Sequence, residues 1–276
     1  MTSARPDAST THALVWLYAP LAQRPLLAAL FAIEAEIGTS LKPGLDHQVA
    51  HLRLEWWRTE CARCAQGQPA HPLTRTVAQG FAGRDLAPLL GLAGLVDAAV
   101  WDLAAAPFET RRELTGYCER WADAMIVPLT RLAASDVDPA AARALGAALR
   151  ETELIGCLAG EARAGHLRLP LDELAAAGVD PASLAKLPWP AALAARLRAR
   201  HGELRAELAA AVSALPAAAQ PPLRALLVWA ALAAAGSRRA ERRLPRWLAG
   251  RDDRGLLDGW RAWRAARQAG AGRFAL

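Results

Sequence analysis

Apolar residues recur at intervals of three and four along nearly the whole chain, the spacing that buries one face of an α-helix. Pro and Gly interrupt the rhythm and mark where elements end. Leu26, Leu27, Leu30, Ile33 and Ile37 form one stripe behind Pro25, predicting a helix over 25–37 that Lys42-Pro43-Gly44 breaks. Further helices are predicted over 45–65, from 73 to 80 and over 85–103, with 67–72 a turn. Thr110 followed by Glu113 reads as a capping box opening the next helix. Asp138-Pro139 opens another, running to about Ala159, and Leu169-Pro170 stops it. Asp172 caps a short helix to Ala177, and 188–190 makes a corner between helices. Long helices follow over 191–215 and 221–243, and a last one over about 254–268 leads into a flexible tail. No internal repeat and no shift of composition marks a second domain, so residues 1–276 are expected to fold as one.

Composition points the same way. Of the 276 residues 53% are hydrophobic, dominated by Ala and Leu, while β-branched residues are sparse. The fold class expected is therefore all-α. The formal charge is +6, and nearly all of the positive charge is Arg, which pairs with carboxylates, phosphates and aromatic faces. Such a surface suits anionic lipid or an acidic protein partner. Nucleic acid is not an expected partner, because no recognition motif or dense basic block appears. Four Cys are too few for a disulfide framework in a chain this long, which fits a reducing cytoplasm. The N-terminal stretch lacks the features of a signal peptide. The longest apolar run, 225–236, has 12 residues, short of the ~20 that span a bilayer. The location expected is cytoplasmic, or peripheral at the inner membrane.

Several smaller patterns carry candidate chemistry. His47 and His51 share a helical face with Asp46 and Glu55, a weak candidate for a metal site with no distant ligand in view. A salt-bridged polar face is the preferred reading. Cys61 and Cys64 form a lone C-x-x-C without a second pair. Arg238, Arg239, Arg242 and Arg243 cluster at a helix end, where they favour the negative dipole or a phosphate. Trp260, Trp263, Arg261, Arg264 and Arg267 lie on the last helix (within 241–276), which is expected to cap the bundle with Trp inside and Arg outside. The alternative is a helix at a membrane interface.

The most informative stretch, residues 145–178, reads LGAALRETELIGCLAGEARAGHLRLPLDELAAAG. It resembles the second motif of the squalene/phytoene synthase family, LGxAxQxTNIxRDxxxDxxxGRxYLP, without gaps. Leu145, Gly146, Ala148, Thr152, Gly165, Leu169 and Pro170 match, whereas Arg150 stands at the Gln, Glu153 at the Asn, Gly156 at the Arg and Arg168 at the Tyr. Cys157 stands at the first Asp and Glu161 at the second. The first motif region, LAALFAIEAEIGTS, places Glu36 and Ser40 at the two Asp positions when aligned on Phe31, with Glu34 off that frame. Arg24, Leu52 to Arg58, the Gly67 to Pro72 turn, Trp101-Asp102-Leu103, Phe108 and Tyr117-Cys118 are further landmarks, so the resemblance covers about 12–240. Where that family has small residues lining its prenyl tunnel, this chain has Ala122, Asp123, Met125 and Ile126.

The resemblance implies an isoprenoid-synthase-type helical bundle with a central cavity. In an active member, paired Asp-x-x-x-Asp motifs hold magnesium ions that draw off diphosphate. Here only remnants stand at those positions, Glu36, Ser40, Cys157 and Glu161, so no catalytic residue, cofactor or strong metal site is expected. The residues expected around the cavity or a ligand are Phe31, Glu34, Tyr117, Asp123, Arg150, Glu153 and Arg168. The function implied is non-catalytic, binding an apolar or isoprenoid molecule or a protein partner near the membrane. One alternative is an active prenyl-diphosphate transferase of isoprenoid biosynthesis that uses Mg²⁺. Another follows from the Phe31 to Glu34 and Cys157-Leu158 patterns, which are similar to the branch containing the mitochondrial complex I assembly factor.

Overall fold

The computed structural model describes residues 10–42, 44–246 and 255–276, and among them there is helix and no strand. The expected breaker Pro43 and the expected start of the last helix at Arg254 lie outside the described residues. The α-helices are α1 (Thr11–Tyr18), α2 (Arg24–Gly38), α3 (His47–Ala65), α4 (Pro72–Gly80), α5 (Ala93–Leu103) and α6 (Arg111–Ala133). They continue as α7 (Pro139–Gly156), α8 (Leu158–Arg163), α9 (Leu171–Ala176), α10 (Ala191–Ser213), α11 (Arg224–Arg243) and α12 (Asp258–Gly270).

Local signals explain most of the ends. Asp46 accepts from the amides of Gln48 and Val49 at the start of α3, and Asp138 accepts from Ala140 at the start of α7. Thr110 caps α6 through the Glu113 amide at 3.4 Å, while the Glu113 carboxylate returns to the amide of Glu109 at 2.6 Å. Glu60 is buried on α3 and accepts from the amides of Ala70 and His71, which pins the 67–72 turn.

Three expectations need correction. Residues 85–103 do not form one helix: a 3-10 stretch, Ala87–Leu92, leads into α5. The helix from Pro139 breaks at Cys157, so Glu161 belongs to a separate short helix, α8. The C-terminal tail is not loose. Gln220 donates to the Phe274 carbonyl at 3.1 Å and accepts from its amide at 2.8 Å, and the Phe274 ring is buried. The Pro188–Pro190 stretch is the expected corner, because Trp189 is buried and its amide donates to the Pro245 carbonyl.

Helices α6 and α7 run antiparallel as a pair. Arg111 meets Glu151, Asp123 meets Arg143, and Ala122 meets Gly146, so partners rise on one helix as they fall on the other. Gly146 permits the close approach: a Cβ there would sit 2.5 Å from that of Ala122. Around this pair pack α2, α10 and α11, with α1 along α11. A main core joins α1 to α7 with the end of α10, α11 and α12, and a smaller one fills the region from Ile155 to Leu204 with Ala240 and Leu244.

One buried group makes the fold sensitive to acid. His201 on α10 is 1% exposed and its Nδ1 lies 3.1 Å from the Ser237 hydroxyl. Burial, then the Arg205 guanidinium, push its imidazole down to about 4, against a weaker pull from Glu241. The unfolded chain, titrating near 6.5, therefore binds this proton first as pH falls. The stabilisation is complete above 6.5 and is lost on the way down to about 4. Acidifying from pH 6.5 to about 5 should cost about 2 kcal/mol. His201→Gln should flatten that part of the profile in denaturant titrations, and an unchanged slope would show that His201 is not its source.

Candidate functional site

Four helices bring polar side chains to the middle of the bundle. On α2, Phe31 and Glu34 are one turn apart and face inward; on α7, Arg150 and Glu153 do the same. Arg150 lies between the two acids, with Nη1 3.3 Å from Glu34 Oε1 and 3.4 Å from Glu153 Oε2. Two indoles complete the cluster. Trp121 of α6 donates to Glu34 Oε1 at 2.9 Å, and Trp229 of α11 donates to Glu153 Oε1 at 3.1 Å. The Arg150 guanidinium also sits over the Trp121 ring, at 5.2 Å. Burial opposes its charge, yet Tyr117, Glu34 and Glu153 hold its pKa above the ordinary arginine value.

A second cluster adjoins the first through Tyr117. Its hydroxyl donates to Asp102 Oδ2 at 3.1 Å, and burial pushes its pKa up. Arg168 donates to Asp102 Oδ1 at 2.6 Å and to Glu161 Oε2 at 2.9 Å. Arg168 is as deeply buried as Arg150, and again burial is outweighed by Tyr117, Asp102 and Glu161. Two guanidiniums thus stand among four carboxylates, and both oxygens of Glu153 and of Asp102 already accept hydrogen bonds.

Aromatic rings pack beside these clusters. Phe31 stacks on His12 of α1 at 4.0 Å, and Trp229 meets His12, Phe31 and Trp121 edge-on at 5.1, 5.5 and 5.7 Å. Phe31, Tyr117, Trp121 and Trp229 are all buried.

The expected residues are distributed as follows. Phe31, Glu34, Tyr117, Arg150 and Glu153 come together, and Arg168 and Glu161 join through Tyr117 and Asp102. Glu36 is exposed on the outside of α2, whereas Ser40 is buried. The acid that faces α7 is therefore Glu34, two positions before the aligned one. Cys157 is where α7 ends. Asp123 does not face the centre: it points across the α6–α7 seam to Arg143 at 2.7 Å and is part-exposed. His47 and His51 stack on the exposed side of α3 at 4.8 Å, and Asp46 is engaged as the helix cap. Among the described residues, no three His, Cys, Asp or Glu side chains converge as a metal site. Cys61 and Cys64 are buried, and burial pushes both thiols up to about 12, so in the metal-free protein they stay protonated at neutral pH. His12, Trp121 and Trp229 carry no signal in the sequence that marks them for this site. Asp102 stands in the sequence only within the Trp101-Asp102-Leu103 landmark, and nothing in the spacing tells which acid an indole N–H will reach.

The squalene/phytoene synthase family model matches residues 5–261, nearly the whole chain. The chain belongs to the squalene/phytoene synthase family. Among solved structures, the chain is similar to a dehydrosqualene synthase in complex with ligand, at 16% identity and a TM-score of 0.72, over 95% of this chain and 91% of that one. It is also similar to the squalene synthase HpnC from Alicyclobacillus acidocaldarius, at 19% identity and a TM-score of 0.65, over 83% and 87% of the two chains. These likenesses establish the isoprenoid synthase fold. No curated protein matches the chain in sequence.

Magnesium is the ion the family motifs imply, and the donor set in this family member does not fit it. Mg²⁺ requires oxygen ligands in near-octahedral array and several waters. Here the inward acids are bridged by Arg150 and Arg168, whose charges oppose a divalent ion at the same place.

Proposed function

We propose that this squalene/phytoene synthase family member is non-catalytic and acts by binding. The observation that carries the reading is the placement of Arg150 between Glu34 and Glu153, repeated by Arg168 between Asp102 and Glu161. In an active relative, free carboxylates clamp magnesium, and magnesium withdraws the diphosphate. In this chain the carboxylates are held by its own guanidiniums, and separating a buried pair costs several kcal/mol. Glu36, which an active transferase would need with Glu161, is on the outer face of α2. These points weigh against the transferase reading, and no cofactor is part of the proposal.

A protein surface is the partner favoured, because the aromatic side chains of α2, α6 and α11 pack against one another at the centre of the bundle. The branch resemblance makes respiratory complex I the first partner to test, through its activity in a deletion strain. An apolar or isoprenoid ligand is the second reading, supported by the ligand-bound state of the dehydrosqualene synthase to which the fold is similar. The location proposed is the cytoplasm or the inner-membrane surface, and no helix among the described residues is long and apolar enough to cross a membrane.

Purified protein incubated with farnesyl or geranylgeranyl diphosphate and Mg²⁺ should yield no C30 or C40 product. Calorimetric titration with Mg²⁺ and inorganic diphosphate should show no joint binding. Turnover that Glu161→Ala abolishes would overturn the reading.

A further inference from the structure

Helix α12 is oriented opposite to the expectation that its Trp face inward. Its buried residues are Asp258, Ala262, Ala265 and Ala269, and this narrow face packs on α11 and α1. Trp260 and Trp263 are instead 53% and 47% exposed. Residues 260, 263, 264 and 267 follow the i, i+3, i+4 and i+7 spacing, so two Trp and two Arg share the outer face. Arg264 lies over the Trp260 ring and Arg267 over the Trp263 ring, each at 5.6 Å. Leu256 and Leu257, just before the helix, are also exposed.

Three cations on the outer face lack carboxylate partners among the described residues. Arg264, Arg267 and Arg273, with Trp263 and Gln268, line a pocket of about 370 Å³, and none of the three arginines has an ion pair among the described residues. Asp258, the acid of α12, is buried and engaged by Arg239 and Arg261. Nearby, Arg238 is crowded by Arg205, Arg261 and Arg242: burial first, then these like charges, lower its pKa. A second apolar stripe, Val49, Leu52 and Trp56 on α3, is exposed as well. Its neighbouring cations are engaged, Arg53 by Thr39 and Arg58 by Asp97. Among the described residues, the α12 face sets two exposed indoles beside three guanidiniums that have no ion pair, whereas on α3 one exposed indole stands near Arg58, which Asp97 neutralises.

We propose that the outer face of α12 docks on an anionic lipid bilayer, with Trp260, Trp263, Leu256 and Leu257 at the boundary of headgroups and acyl chains and Arg264, Arg267 and Arg273 on lipid phosphates. Indoles prefer that boundary, and guanidiniums bind phosphate with paired donors. The pocket is large enough for a headgroup. The Ala face anchors the helix to the bundle, so the surface is rigid and pays little ordering entropy on docking. Contact of this kind is peripheral. It is independent of whether the central clusters are catalytic.

The test is co-sedimentation of the full chain with vesicles of phosphatidylglycerol and phosphatidylcholine. Binding should be strong at low salt, weak at molar salt, and slight on phosphatidylcholine alone. Arg264→Glu with Arg267→Glu and Arg273→Glu should weaken it about 100-fold or more. Trp260→Ser with Trp263→Ser should weaken it about tenfold, and Leu52→Ser with Trp56→Ser should leave it unchanged. Circular dichroism establishes that each variant is folded. If the arginine variant does not fold, the salt dependence and the Trp variant decide. Equal binding to neutral vesicles, retention by the Trp variant, or binding of inorganic phosphate without vesicle binding would each overturn the proposal.

Discussion

Arg150→Met should destabilise the protein by about 3–5 kcal/mol, the cost of leaving buried carboxylates without their cation. The Arg150 side chain is 6% exposed, and those of Glu34 and Glu153 are 19% and 18%, too little for water to replace it. Met fills the same volume, so the loss is charge rather than packing. For a chain of this size the midpoint of thermal unfolding should fall by roughly 10 °C. Adding Glu34→Gln and Glu153→Gln should recover most of the loss, since the neutral triple leaves no orphaned ion. That recovery separates a paired cluster from a merely crowded one, because a packing defect would not respond to neutralising its neighbours. A loss below about 1 kcal/mol would mean that the acids are well solvated and that Arg150 does not hold them.

The helices were legible in the sequence because each carries its apolar stripe in its own residues, and Thr110, Asp46 and Asp138 cap as their types suggest. Gly146, Gly165 and Leu169-Pro170 likewise carry the family frame in local form. What escaped was decided by distant partners. Glu34 and Glu36 differ by two positions on one helix, which turns their side chains about 200° apart, and only the position of Arg150 selects between them. Gly156 ends α7 just before Cys157, but a single Gly inside a helical pattern is tolerated, so it does not by itself announce the break. On α12, hydrophobicity alone places Trp inside. The close seat against α11 and α1 is instead filled by Ala, and the larger indoles are left outward with the arginines. Asp102 could not be assigned from its own neighbourhood, because Arg168 lies 66 residues away.

The packing at the centre also predicts what happens when it is opened. Trp229→Ala should cost about 3–5 kcal/mol, the range for a buried aromatic removed without collapse. The indole is 1% exposed, touches the rings of His12, Phe31 and Trp121, and donates to Glu153, so its loss leaves both a void and an unmet acceptor. The void should be on the order of 150 Å³, a size at which an apolar engineered cavity binds benzene. Thermal shift with farnesol then distinguishes two readings of the native centre. If side chains fill it, farnesol should stabilise Trp229→Ala and leave the native protein unmoved, since a ligand raises stability only in proportion to its occupancy of the folded state. If the native protein already admits an isoprenoid, farnesol should raise its midpoint too, and the second reading of its function would displace the first. A variant that melts no earlier than the native protein would show that the indole is not packed against its neighbours at all.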